Sequence, residues 1–295
     1  MAFDLNLLNH PICFAGPRRL TPASAWHEHI PFAMFLVDLL KPNVIVELGT
    51  HYGDSYCAFC QAVHELHLTT HCYAVDTWKG DPHSAFYGPD VLEDLRAHHD
   101  RFYGSFSRLI QSTFDETLQH FGDGTIDLLH IDGYHSYEAV KHDFASWLPK
   151  MSQHGIMLLH DINVRESEFG VWKLWDELKN YYPHFYFLHC HGLGVLVVGK
   201  EHPKTIQELL DAQEEDVIKI RKFFFELGHR LTLQIQLTQK LAQLQTREQQ
   251  IVEQERIIAE KDIQISILKD FERKVKSTLL YKIYRILRLH KIYNK

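Results

Sequence analysis

Two short apolar runs end in side chains that could do chemistry together. Ile126–Ile131 leads into Asp132, with His135 three residues on, and Gly155–Leu159 leads into His160 and Asp161. Adjacent parallel strands lie about 4.8 Å apart, so if these two are neighbours their terminal carboxylates can converge on one cation. Oxygen ligands from Asp132 and Asp161 suit a hard ion such as Mg2+. A nitrogen from His160 would favour a softer one such as Mn2+ or Zn2+. His135 would face the same pocket and could serve as a general base. Each residue alone has a plainer reading, as a helix cap or a histidine bonded to backbone. Four ionisable groups converging on two strand ends favour a site.

A second cluster follows the apolar run at Val44, which enters Glu47-Leu48-Gly49-Thr50-His51-Tyr52-Gly53-Asp54-Ser55. Two glycines four residues apart allow a tight turn and close approach of backbone to a ligand. The loop lacks G-x-G-x-x-G and has no Lys-Ser/Thr pair, so it is neither a good dinucleotide fingerprint nor a P-loop. Asp76 ends the next apolar run after these glycines, where an acid can accept two hydrogen bonds from a ribose diol. The plain alternative for the loop is a strand-to-helix turn.

These residues need strands to carry them. Continuous apolar runs at 44–47, 73–76, 108–111, 126–132 and 155–161, with helical patterns between, suit strands buried on both faces. This is a doubly wound α/β sheet, which binds ligands at the carboxyl ends of its strands. Phe185–Cys190 and Val195–Gly199 are joined too closely for a crossover and read as an antiparallel edge hairpin. Cys57-Ala58-Phe59-Cys60 falls inside a helix without the second pair a zinc site needs. Residues 81–90 read as a loop over the pocket.

The matching stretches His29–Ala33, Val46–His51, Val75–Asp81, His130–Glu138, Leu159–Asp161, Phe169–Trp172 and Gly192–Val195 resemble class I S-adenosylmethionine-dependent methyltransferases. More narrowly, they are similar to bacterial enzymes of polysaccharide and glycosyltransferase gene settings and to metal-dependent sugar O-methyltransferases. The resemblance covers roughly residues 20–200. It implies a Rossmann-like, seven-stranded sheet with an antiparallel last strand. It implies that Gly49, Thr50, His51 and Gly53 wrap the cofactor's methionine end, that Glu47 and Asp132 belong to the cofactor site, and that Asp76 holds the ribose. Trp78 would lie by the adenosine and Ser112-Thr113 beside the adenine. Asp132 and Asp161 would hold Mg2+ or Mn2+, with His135 as base. Where that family has an acid before the second Asp, this chain has His160. The implied reaction is O-methylation of a sugar, glycan or glycosylated intermediate. Alternatives are methylation of a small hydroxylated metabolite, or a cofactor-binding scaffold without turnover.

Composition bounds the rest. The 295 residues are 45% hydrophobic and 23% charged, ordinary for a globular chain with a full core. The net charge of −7 is uneven: residues 273–295 hold eight Lys/Arg and no acid, leaving 23 basic against 38 acidic residues before them. Five cysteines fit free thiols in a reducing cytoplasm. No cationic-then-apolar leader and no span of about 18 apolar residues is visible. From His229 to Lys295 there is neither Gly nor Pro, and Leu237, Leu244, Ile251, Ile258 and Ile265 hold one heptad position. The expected organisation is a methyltransferase domain over 1–203, a long helix or coiled coil over 204–272 able to make a homo-oligomer, and a basic amphipathic tail over 273–295. In that tail Leu279, Leu280, Ile283, Ile286 and Leu287 oppose Lys282, Arg285 and Arg288, a pattern suited to an anionic membrane surface rather than nucleic acid. The expected place is the cytoplasm, peripheral at the inner membrane.

Overall fold

A computed structural model of the chain describes residues 7–83, 85–166, 168–201 and 203–293. Its strands are β1 (Val44–Leu48), β2 (His71–Asp76), β3 (Gly80–Asp81), β4 (Ala85–Phe86), β5 (Ser107–Gln111), β6 (Ile126–Ile131), β7 (Met151–His160), β8 (His184–Phe187) and β9 (Leu193–Val197). Its helices are α1 (Ile30–Leu40), α2 (Asp54–Glu65), α3 (Asp90–Phe102), α4 (Phe114–Leu118), α5 (Tyr137–Trp147), α6 (Val171–Leu178), α7 (Lys204–Leu210), α8 (Glu214–Ser277) and α9 (Leu279–Tyr293).

Seven strands form one sheet in the order β5-β2-β1-β6-β7-β9-β8. The first five are mutually parallel, and β9 runs antiparallel to both β7 and β8. The strand order reverses between β1 and β6, so a crevice opens at their carboxyl ends. β6 and β7 are neighbours, as the convergence of Asp132 and Asp161 requires.

Side chains alternate between the sheet's two faces, as a two-residue period dictates. Ile45, Leu128 and Leu158 face a layer that includes α1 and α2, while Val46, Leu129 and Met157 face α5 and α6. Each such side chain, when fully buried, contributes roughly 1.5–3 kcal/mol. Glu47, His130 and His160 share the parity of the first set, which sends these polar groups into the same layer.

The structure departs from the sequence reading in three places. Both strands of the last hairpin begin and end earlier than expected. Cys190, His191 and Gly192 all have positive φ, which a strand cannot hold, and they form the tip instead. The loop over 81–90 contains the β3–β4 hairpin, and Asp90 already opens α3. The long helix starts at Glu214 and breaks at Thr278, whose hydroxyl accepts from the Tyr281 amide and so caps α9.

The chain forms two compact units, Met1–Ile235 and Gln236–Lys295. Composition divides it at residue 203, but Ile220, Phe224 and Leu231 of α8 are buried in the first unit. A Cβ on Gly228 would meet the Glu28 carbonyl at 2.1 Å, so only glycine lets the helix lie so close. In the second unit the apolar line from Leu237 to Ile265 is exposed. Residues 294 and 295 of the basic tail lie outside the described residues. No described helix is long and apolar enough to cross a membrane.

Candidate active site

A cleft of about 490 Å³ opens at the carboxyl ends of β1, β2, β6 and β7. It is lined by Gly49, Thr50, His51, Gly53, Asp76, Thr113, Asp132, His135, His160 and Asp161, all expected from the sequence. Three expected residues lie outside the lining. Glu47 is wholly buried and accepts from His130 Nδ1 at 2.8 Å. Trp78 is buried, with its indole nitrogen donating to the His51 carbonyl at 3.0 Å. The Ser112 hydroxyl donates to Glu116.

The glycine loop is built by Asp76. One of its carboxylate oxygens accepts from the amides of Thr50 (2.8 Å) and His51 (2.9 Å), and the other from the Trp78 amide (2.7 Å). A carboxylate has about four acceptor positions, so one remains for a ligand hydroxyl instead of the two expected. Gly49 has a positive φ, and a Cβ there would strike the Asp132 carbonyl at 2.1 Å. The loop is thereby held against the start of the β6–α5 connection, where the Asp132 amide donates to the Leu48 carbonyl.

The ionisable cluster centres on two carboxylates. His135 Nε2 lies 2.9 Å from Asp161 and 3.6 Å from Asp132. His160 Nδ1 lies 3.3 Å from Asp132 and 3.5 Å from Asp161. His191 Nδ1 reaches Asp161 at 3.2 Å. Asp161 has a positive φ, an uncommon conformation for a residue other than glycine, and it turns off the strand directly after His160. Burial works to lower the His135 imidazole, but the hydrogen bonds and charges of Asp132 and Asp161 outweigh it and lift it to about 9. Burial is likewise outweighed at both aspartates, which the neighbouring histidines hold below the ordinary carboxylate range.

Beneath the cleft lies a buried layer that the sequence reading missed. Trp26 Nε1 donates to His130 Nε2 at 3.2 Å, which keeps the His130 proton on Nδ1, facing Glu47. The Cys190 carbonyl accepts from both His29 Nε2 (3.2 Å) and His160 Nε2 (3.1 Å). Burial drives His29 to its neutral form. Also missed is an aromatic wall: Phe169 stacks on His135 at 4.8 Å and on His83 at 4.5 Å, with Tyr134 4.7 Å beyond His83.

The donor set fits a cation. Ligand atoms of Asp132, His135 and Asp161 lie within 4.8 Å of one another, and the buried Asp161 Oδ1 faces the ring nitrogens of His160 and His191 at 3.5 and 3.2 Å. It also fits a small polar ligand, since the Thr50 hydroxyl is buried and unpartnered beside the loop.

Residues 46–162 match a family described as methyltransferase domain. A 200-residue stretch, 68% of the chain, is 50% identical to uncharacterised protein y4gI of Sinorhizobium fredii (strain NBRC 101917 / NGR234), and the match spans 22% of that relative's length. Among solved structures, the SAH-bound methyltransferase PaMTH1 of Podospora anserina is 14% identical, with 63% of this chain and 91% of that one covered and a TM-score of 0.45. The O-methyltransferase TomG of Streptomyces achromogenes, involved in tomaymycin synthesis and solved in complex with SAM, is 11% identical, with 62% and 83% covered and a TM-score of 0.45. Residues 46–162, from the first strand of the sheet to the turn after Asp161, are thus the part of the chain that is similar to a methyltransferase domain.

Proposed function

We propose that this chain is an S-adenosylmethionine-dependent O-methyltransferase acting on a hydroxyl of a sugar, glycan or glycosylated intermediate. The observation that carries the reading is the meeting of Asp132, His135 and Asp161 with the glycine loop in one cleft. The cofactor supplies a methyl group already activated as a sulfonium, so the chain's work is alignment and the handling of one proton. The Gly49–Gly53 backbone and the Thr50 hydroxyl suit the methionine end. The last acceptor position on Asp76 suits a ribose hydroxyl, and Thr113 also lines the cleft. The flat faces of Phe169, His83 and Tyr134 beside His135 suit the C–H face of a sugar ring.

His135 takes the acceptor's proton when its imidazole is neutral, with its ring fixed between Phe169 and Asp161. Asp132 and Asp161 would hold a divalent cation, Mg2+ or Mn2+. His160 is suited to join them: its Nε2 proton is committed to the Cys190 carbonyl and its Nδ1 faces both carboxylates. A cation there would make a bound hydroxyl more acidic.

The test is tritiated methyl transfer from S-adenosylmethionine into cell-envelope extract, with and without EDTA, beside calorimetry of cofactor binding. Label in the glycan fraction, reduced by EDTA, is the expected result. Label confined to low-mass material would move the acceptor to a small hydroxylated metabolite. Tight cofactor binding without transfer to any fraction would sink the enzymatic reading in favour of a scaffold.

A further inference from the structure

In the unit Gln236–Lys295, Leu237, Leu244, Ile251, Ile258 and Ile265 recur every seven residues along α8, each between 47% and 60% exposed. At about 100° per residue, the position three after each lies on one flank of this line and the position four after lies on the other. The first flank reads Lys240, Arg247, Gln254, Lys261 and Leu268; the second reads Leu241, Glu248, Glu255, Asp262 and Lys269. From Lys240 to Asp262 one flank is basic and the other acidic.

Some charges on the helix are paired along it. Arg256 pairs with Glu253 and Glu260, Arg273 with Asp270 and Lys276 with Glu272. Among the described residues, Lys240, Arg247, Lys261, Glu248, Glu255 and Asp262 form no ion pair within the chain. The reason is in the spacing: none of the six has a charged residue three or four positions away.

We propose that this stretch of α8 pairs with the same stretch of a second copy of the chain, parallel and in register. A two-fold axis along paired parallel helices sets the basic flank of each opposite the acidic flank of the other. Arg247 then stands at nearly the height of the partner's Glu248, and Lys261 at that of the partner's Asp262. An antiparallel pair would set basic against basic and acidic against acidic, so flank charge selects orientation as well as partner. The seven-residue period adds a left-handed supercoil. An anionic lipid surface is the poorer occupant, because the apolar line is one residue wide and Glu248, Glu255 and Asp262 border it.

The inference is independent of methyl transfer and is tested on the full chain by analytical ultracentrifugation at low and high salt. A dimer weakened by salt is expected. Arg247→Glu with Lys261→Glu should weaken association roughly tenfold or more, and adding Glu248→Lys and Asp262→Lys should restore it by exchanging the flanks. Circular dichroism checks that the helix persists in each variant. Leu244→Cys and Ile265→Cys, made separately and oxidised, should each give disulfide-linked dimers. A monomer at about 50 μM, well above the dissociation constant of a specific pair, overturns the proposal. So does a double reversal without effect, or self-crosslinking at only one of the two cysteine positions, the pattern of an antiparallel pair.

Discussion

His135 is caught between two carboxylates that hold its proton and an aromatic face that holds its ring. As an imidazolium up to about pH 9 it cannot accept a proton, so metal-free enzyme should gain activity as pH rises through that value. Mg2+ sharing the carboxylates should move the rise to lower pH; a profile that EDTA leaves unmoved would count against a cation there. His135→Ala and Asp161→Ala should each lower turnover by about 10²–10⁴-fold while calorimetry still shows cofactor binding. Full turnover in His135→Ala would remove it as the base. Asp143, on α5, offers a separate test, because burial raises its carboxyl to about 7. The folded state therefore holds this proton more tightly than the unfolded chain. The protonated carboxyl fits the fold at pH 4, and stability falls as pH rises from about 4 to 7, by an amount on the order of a few kcal/mol. Asp143→Asn should melt higher than the wild type at pH 8 and no higher at pH 4.

At the scale of elements, the site depends on strand ends meeting, and much of that was legible. Asp132 and Asp161 could be brought together from sequence because parallel neighbours end side by side, and β6 and β7 are neighbours. The family resemblance implies that Glu47 belongs to the cofactor site. Alternation along β1 sends it with Ile45 into the core instead, as the two-residue period of a strand dictates. Trp26 and Cys190 were beyond reach, since they come from a 3-10 segment and a hairpin tip with no periodic pattern to locate them, while His29 stands in a stretch that carries the family resemblance without a role implied for it. Two changes probe this layer. His130→Ala strips the buried Glu47 of its partner and should cost about 3–5 kcal/mol of stability in a denaturant melt. Gly49→Ala forces a Cβ against the Asp132 carbonyl at positive φ. It should weaken cofactor binding by calorimetry more than it lowers the melting temperature; unchanged affinity would separate the loop from the cofactor site.

Over the whole molecule, charge and apolar surface are divided by region. Acidic residues dominate up to residue 272, and α9 exposes Leu279, Leu280 and Ile286 on one face and carries Lys282, Arg285 and Arg288 on the other. We read α9 as an attachment helix for anionic lipid. Removing residues 273–295 should abolish sedimentation with phosphatidylserine vesicles and leave transfer to a soluble acceptor unchanged. Co-sedimentation that survives the truncation would place attachment elsewhere. Composition alone suggested this division, but not that α8 begins at Glu214 and sinks Phe224 and Leu231 into the first unit.

The Cys190 carbonyl has a consequence for anyone who edits this chain. Hairpin tips at a sheet's edge are usually where families tolerate length changes and where tags or epitopes are spliced. Here the tip answers two imidazole protons from inside the core. One inserted residue between Leu188 and Gly192 would displace that carbonyl by about 3.3 Å and strand both. The outermost turn of the sheet thus has as little room for length variation as the glycine loop.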